Sequence, residues 1–180
     1  MSKDIVGLIL AKSKSNRLPQ KNTRDFKGQA MFLVNVKKCL RIFDEIYVSS
    51  DSDYILDLAT QVGAIGIKRG DELCGDTPNI PVYQHALQFM GDVDAIVAVQ
   101  ANSPTVESNL IILTKSLMER GIEEVMTCDL DYKIYGSIWA ISTRKLRNYG
   151  DPYSPHPQIL LVDKSMDIHT ERDYEAACRQ

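Results

Sequence analysis

Apolar and polar positions follow two spacings along this chain. An uninterrupted apolar run, Ile5–Leu10, predicts a strand buried on both faces. Residues 31–40 then place Phe32, Val36 and Leu40 at helical spacing, with Leu33 beside them. Residues 45–49 predict a second strand. Asp51-Ser52-Asp53 supplies N-cap chemistry for an amphipathic helix over 54–62, which Gly63 ends. Ile65–Lys68 predicts a third strand, and 69–79 a polar loop rich in Gly and Asp. A helix follows from Pro81, with proline in the first turn, where its missing N–H costs nothing. Residues 95–100 predict a strand and 108–120 a helix stopped by Gly121. Further strands are expected at Glu124–Cys128, 137–142 and Ile159–Val162, with 149–157 irregular. Thr170 can cap a last helix, with Glu171 and Asp173 in its first turn. This alternation predicts an α/β fold of three layers around a mostly parallel sheet, with residues 1–180 as a single domain.

The loop after the first strand changes the picture from architecture to chemistry. Ala11-Lys12-Ser13-Lys14-Ser15-Asn16-Arg17-Leu18-Pro19-Gln20-Lys21-Asn22 carries four basic side chains and two hydroxyls. In open α/β sheets, ligands bind just beyond the carboxyl ends of the strands. A basic, serine-rich loop there offers N–H, hydroxyl and cationic donors to a polyphosphate. A solvated surface loop is the plainer alternative. Net charge is −3 over 180 residues, so the positive charge is local to residues 12–27. That suits a small anionic ligand and argues against a nucleic-acid track.

Composition excludes other classes. Hydrophobic content of 44% and charged content of 25% are ordinary for a globular domain with a real core. Cys39, Cys74, Cys128 and Cys178 form no C-x-x-C pair and match no zinc spacing. They read as free thiols of a cytoplasmic protein. The start, Met-Ser-Lys-Asp, lacks the apolar region of a secretion signal. No apolar run approaches the ~20 residues that span a bilayer. The dinucleotide fingerprint G-x-G-x-x-G and the Walker pattern are both absent, since no glycine follows the first strand before Gly28. Phosphate must therefore be held by another device.

The loop resembles the signature of the cytidylyltransferases that make CMP-sialic acid, CMP-Kdo and related CMP-activated sugar acids, roughly P-A-R-x-G-S-K-R-L-P-x-K-N. Five more segments are similar, in the same order. Val48-Ser49-Ser50-Asp51-Ser52 resembles V-S-T-D-S, and Gly75-Asp76-Thr77 resembles x-D-T. Val99-Gln100-Ala101-Asn102-Ser103-Pro104 resembles L-Q-P-T-S-P, and Gly136-Ser137-Ile138-Trp139 resembles G-A-I-Y. Met166-Asp167-Ile168-His169-Thr170-Glu171 resembles I-D-I-D-T-P. The chain departs from the pattern at Lys12 for Arg, Lys14 for Gly, Asn16 for Lys and His169 for Asp. The Lys14 change touches a turn where glycine would allow positive φ. The stretch between Cys128 and Tyr135 is short for the family, whose longer excursion supplies a dimerisation arm and part of the acceptor site.

The resemblance implies a Rossmann-like nucleotidyltransferase fold. It also implies attack of a sugar-acid hydroxyl on the α-phosphorus of CTP, with pyrophosphate leaving. Such catalysis is mainly positioning and charge neutralisation. Lys12, Ser15, Arg17 and Lys21 are the candidates for holding the triphosphate, alongside Ala11 and Ser13; Arg17 could equally pair with an acid at the base of the loop. Asn22 would bond the base or fix the loop. Gln100 would face nucleotide or acceptor, or cap its own loop. Thr77 and Asn79 fall in the cytidine-contacting segment, where turn formation is the competing role. Lys12, Lys21 and Gln100 are the candidate catalytic set. Magnesium (Mg2+) would neutralise the leaving group, with Asp167 and His169 as its candidate ligands; imidazole is a poor magnesium donor. Asp51 reads as an N-cap, and His85 and His156 take no catalytic role. The implied partners are CTP and a small anionic acceptor, with no nucleic acid and no membrane, and a homodimer with a shortened arm. Two alternatives stay open: another small acceptor such as a phosphonate or sugar phosphate, or a nucleotide-binding or interaction protein without turnover.

Overall fold

The computed structural model describes residues 3–180; Met1 and Ser2, which begin the N-terminal stretch read above, lie outside the described residues. The expected elements form with small shifts of boundary. Strands β1 (Ile5–Leu10), β2 (Ile46–Ser50), β3 (Ile65–Lys68), β4 (Ala95–Val99), β5 (Glu124–Cys128), β6 (Ile134–Ser142) and β7 (Ile159–Val162) make one sheet. Helices are α1 (Met31–Cys39), α2 (Asp53–Gln61), α3 (Asn79–Leu87), α4 (Ser108–Glu119), α5 (Thr143–Arg147) and α6 (Glu171–Cys178). The strand order is β3-β2-β1-β4-β6-β5-β7. Pairing is parallel throughout except at β6, which runs antiparallel to both β4 and β5.

Helices cover both faces, as the three-layer expectation requires. On one face, Phe32 and Val36 of α1, Ile55 and Ala59 of α2, and Ile111 and Met118 of α4 pack on Ile9, Val48, Val97 and Ala140. On the other, Ile80, Tyr83 and Ala86 of α3 and Leu146 of α5 pack on Leu8, Ile96, Trp139 and Ile141. Tyr83 and Trp139 meet edge to face at 5.7 Å. β1, β2, β4 and β5 are almost wholly buried; β1 and β4 read as continuous apolar runs, while β2 and β5 also bury Ser49, Ser50, Glu124 and Thr127.

Local corrections have local causes. The α2 cap is Ser52, whose hydroxyl accepts from the Ile55 N–H, leaving Asp51 free for another role. α3 starts at Asn79, two residues early, yet Pro81 still lies in the first turn, where amide donors lack helical partners. Thr170 caps α6 in a reciprocal capping box with Asp173. The short α5 was not anticipated; Ser142 caps it by accepting from the Lys145 N–H.

Gly7 is the tight point of the central strand. It pairs with Ile46, and a Cβ at Gly7 would lie 2.3 Å from Ile46 Cδ1 and 3.2 Å from Phe43 Cδ2. Both neighbours are buried, so neither can swing into solvent. Gly7→Ala is expected to lower unfolding free energy by about 1–3 kcal/mol through overpacking, read as a lower midpoint with unchanged slope in urea denaturation.

Candidate functional site

β1 has β2 on one side and β4 on the other, so the chain order reverses beside it and leaves a crevice beyond its carboxyl end. The basic loop emerges there. Its start is fastened to the next strand: Ala11 N–H donates to the Ser49 carbonyl at 3.0 Å. Asp51, just past β2, then takes two donors from one residue. The Ser13 N–H reaches Asp51 Oδ1 at 2.7 Å, and the Ser13 hydroxyl donates to Oδ2. These bonds hold the Asp51 carboxyl below the usual carboxylate range against the opposing effect of burial. Lys12 Nζ donates to the Gly75 carbonyl at 2.8 Å, and the buried Asn22 amide donates to the Lys12 carbonyl at 2.8 Å. Two basic side chains, Lys12 and Lys14, and two carboxylates, Asp51 and Asp71, line a cavity of about 290 Å³ with Asn16, Cys74 and Gly75.

The other wall is the crossing from β7 to α6. Lys21 Nζ donates to the Ile168 carbonyl at 3.1 Å. Burial, then the neighbouring Arg17 and Lys12 charges, lower the Lys21 pKa, while Asp167 opposes them. Arg17 Nη2 lies 2.8 Å from His169 Nδ1, and His169 Nε2 lies 2.6 Å from Asp167 Oδ2. Asn102 Nδ2 donates to Asp167 Oδ1. The Ile168 N–H donates to the Asn102 carbonyl at 2.8 Å, which stitches this crossing to the loop after β4. That loop is held from beneath by Asn35 of α1, fully buried, whose amide donates to the Gln100 and Ser103 carbonyls at 2.8 and 2.9 Å.

Ala11, Lys12, Ser13, Arg17, Lys21, Asp167 and His169 thus meet around one crevice, with half-buried Ser15 in the same loop. Asn22 fixes the loop through its amide. Gln100 ends the neighbouring strand and is half-buried, its N–H donating to the Ser137 carbonyl at 2.8 Å. Thr77 forms a turn: its hydroxyl donates to the Cys74 and Glu72 carbonyls at 2.9 and 3.1 Å. Asn79 is the first residue of α3. Lys14 is not among the residues with positive φ, so its side chain imposes no left-handed strain on the loop.

Three contributors escaped the sequence reading. Asp51 read as a cap and instead anchors Ser13. Asn102 sat unremarked inside its motif. Arg69, at the end of β3, is buried, and burial lowers its pKa while Cys74 and Asp51 oppose that shift. The signal for Asp51 was present, since Ser52 beside it could serve as the cap.

A family model described as cytidylyltransferase matches residues 6–165. This chain belongs to the cytidylyltransferase family. It is 30% identical over 125 residues to 3-deoxy-manno-octulosonate cytidylyltransferase of Christiangramia forsetii, covering 67% of this chain and 48% of the relative. It is 29% identical over 112 residues to pseudaminic acid cytidylyltransferase of Campylobacter jejuni, covering 58% of this chain and 48% of the relative. The chain spans about half the length of these curated relatives. The fold matches CMP:2-keto-3-deoxy-manno-octonic acid synthetase complexed with CTP, at a TM-score of 0.79, 14% identity and 97% coverage of both chains. It also matches Mycobacterium tuberculosis Rv0371c in complex with manganese, at 0.73, 13% identity and coverage of 98% and 99%. Among the described residues, no helix is long and apolar enough to cross a membrane.

In this cytidylyltransferase-family chain, Asp51 fixes the entry to the basic loop. Asp51→Ala leaves Ser13 without its acceptor and frees the loop start. The expected outcome is a loss of stability of about 1–2 kcal/mol, read as a lower midpoint in urea denaturation.

Proposed function

We propose that this protein transfers CMP from CTP to a small anionic acceptor, a sugar acid of the sialic- or Kdo-like kind. The acceptor hydroxyl oxygen forms the new bond to the α-phosphorus, the α–β phosphoanhydride bond breaks, pyrophosphate leaves, and the hydroxyl proton is lost. The observation that carries this reading is the loop after β1, which brings Lys12, Arg17 and Lys21 to the reversal point of the sheet. The triphosphate lies along that loop in this reading, with Lys12, Ser13, Ser15, Arg17 and Lys21 as its donors and the Ala11 backbone against the nucleotide. Asn22 keeps the loop in shape, Thr77 and Asn79 border the cytidine, and Gln100 faces the reacting groups.

Magnesium fits in part. A magnesium ion needs one or two carboxylates and otherwise takes water and phosphate oxygens. Asp167 supplies such a carboxylate beside Lys21. His169, expected to share the ion, has both ring nitrogens engaged, one by Asp167 and one by Arg17. Among the described residues no group of three or more His, Cys, Asp or Glu side chains gathers as a closed metal site. The ion would draw negative charge from the leaving pyrophosphate; Asp167 would hold it at the edge of the loop.

The short turn between β5 and β6 favours a second acceptor class. Asp129 N–H closes on the Lys133 carbonyl at 3.0 Å, so little chain overhangs the acceptor side. A phosphonate or sugar phosphate fits that openness as well as a sugar acid. Working on CTP places the protein in the cytoplasm, and a homodimer would have to form without a long arm.

Calorimetric titration with CTP, UTP, ATP and GTP tests the reading, with and without magnesium. The expected outcome is selective CTP binding, strengthened by magnesium, and weakened about 10-fold or more in Lys21→Ala. Pyrophosphate release across a panel of acceptors then separates sugar acids from phosphonates. Binding of no nucleotide, or no selectivity for CTP, would overturn it.

A further inference from the structure

Four groups at the edge of the crevice form an unbroken chain: Asn102, Asp167, His169 and Arg17. The direction of each bond follows from what the groups can do. A guanidinium has only donors. The 2.8 Å contact between Arg17 Nη2 and His169 Nδ1 is therefore a bond accepted by Nδ1, which must carry a lone pair. The ring proton then sits on Nε2 and is donated to Asp167 Oδ2 at 2.6 Å. The second oxygen of Asp167 accepts from the Asn102 amide. The backbone of His169 is fixed too, its N–H donating to Asp173 Oδ2 at 3.0 Å. The imidazole is thus pinned at both ring nitrogens and at its main chain.

We propose that His169 is a positioning residue that aims the Arg17 guanidinium into the basic loop, and is not a metal ligand. The proposal rests on the nucleotide reading given above. Arg17 is exposed, and a free arginine side chain gives up much rotamer freedom when it is held in one place. Holding it in place before the ligand arrives removes part of that cost from binding. A neutral acceptor does this without cancelling the charge, as a carboxylate at the same place would. The same bonds explain why the ring is unsuited to magnesium: neither nitrogen is open, and magnesium prefers oxygen.

Two measurements test this together. In the first, nitrogen-15 NMR of the histidine rings at neutral pH should show His169 as the neutral tautomer protonated at Nε2, with an Nδ1 resonance that moves in Arg17→Ala. A ring protonated at Nδ1, or an Nδ1 resonance indifferent to Arg17, overturns the relay whatever the protein binds. In the second, CTP affinity is measured in the presence of EDTA for the wild type, Arg17→Ala, His169→Ala, the double variant and His169→Asn. Arg17→Ala should weaken binding about 10- to 100-fold and His169→Ala about 3- to 10-fold. The double variant should be no weaker than Arg17→Ala alone, because His169 acts only through Arg17. His169→Asn, which keeps an acceptor at that position, should recover most of the affinity. Additive losses, or no recovery in His169→Asn, overturn the proposal. Wild-type protein that shows the NMR signature but binds no CTP overturns the nucleotide reading, and with it the purpose assigned to the relay.

Discussion

Four cations within ten residues of one loop repel each other, and the fold must hold them in place before any anion arrives. The structure does this with neutral acceptors. Lys12 and Lys21 donate to the carbonyls of Gly75 and Ile168, and Arg17 donates to an imidazole nitrogen. The nearby carboxylates are occupied by neutral donors instead: Asp51 by Ser13, Asp167 by Asn102 and His169. Each of these three cations is therefore fixed by a bond to a neutral acceptor, although Asp167 lies close enough to Lys21 to attract its charge. Arg24, just outside the loop, shows the contrast, with both guanidinium nitrogens on Glu171 at 2.6 and 2.7 Å. That pair joins opposite charges; the inner three donate to neutral acceptors. The bonds that fix these three cations are charge-assisted, each worth about 1.5–3 kcal/mol net.

The fastening comes from the far end of the chain. Leu18, Phe26 and Met31 bury against Ile168 and Ala177, a small core separate from the two that sandwich the sheet. Arg24 lies over the Tyr174 ring at 4.3 Å, and the Tyr174 hydroxyl donates to the Asp25 carbonyl. Residues some 150 positions apart are thus joined by apolar contact, ion pair and main-chain bonds at once. Closing a loop of that length costs only slightly more than closing a short one, since the penalty grows with the logarithm of length. The loop after β1 borrows its rigidity from α6, so order in one depends on order in the other.

This division explains what the sequence could and could not tell. β1 and β4 were legible because strands covered on both faces are apolar throughout; β2 and β5 were legible from their apolar positions alone, since each also buries polar side chains. The α6 cap was legible because Thr170 precedes a first turn that carries acidic Glu171 and Asp173. The reversed direction of β6 was not, because a buried strand carries the same apolar run whichever way it points. Asn35 stayed hidden for a related reason: one polar residue on an apolar helical face reads as noise, until the two carbonyls it serves, 65 and 68 residues away, are seen. At the site, the basic loop and its cations were legible from charge and position. The roles of Asp51, Arg69 and Asn102 were not, because each depends on a partner brought from another strand end.

The direction of β6 also shapes the far side of the crevice. Running antiparallel between β4 and β5, it begins where they end, so the β5–β6 turn emerges on the same edge of the sheet as the basic loop. A register shift between Met126 and Cys128, with Gly136 at φ 69°, bends the strand start at that edge. The length of this turn therefore sets how much chain reaches over the crevice. Here it closes within five residues, with Tyr132 in the left-handed region and Leu130 and Tyr132 exposed at its tip. The two sides of the crevice thus rest on different parts of the fold: the basic loop on contacts from the far end of the chain, the other side on how far one hairpin reaches.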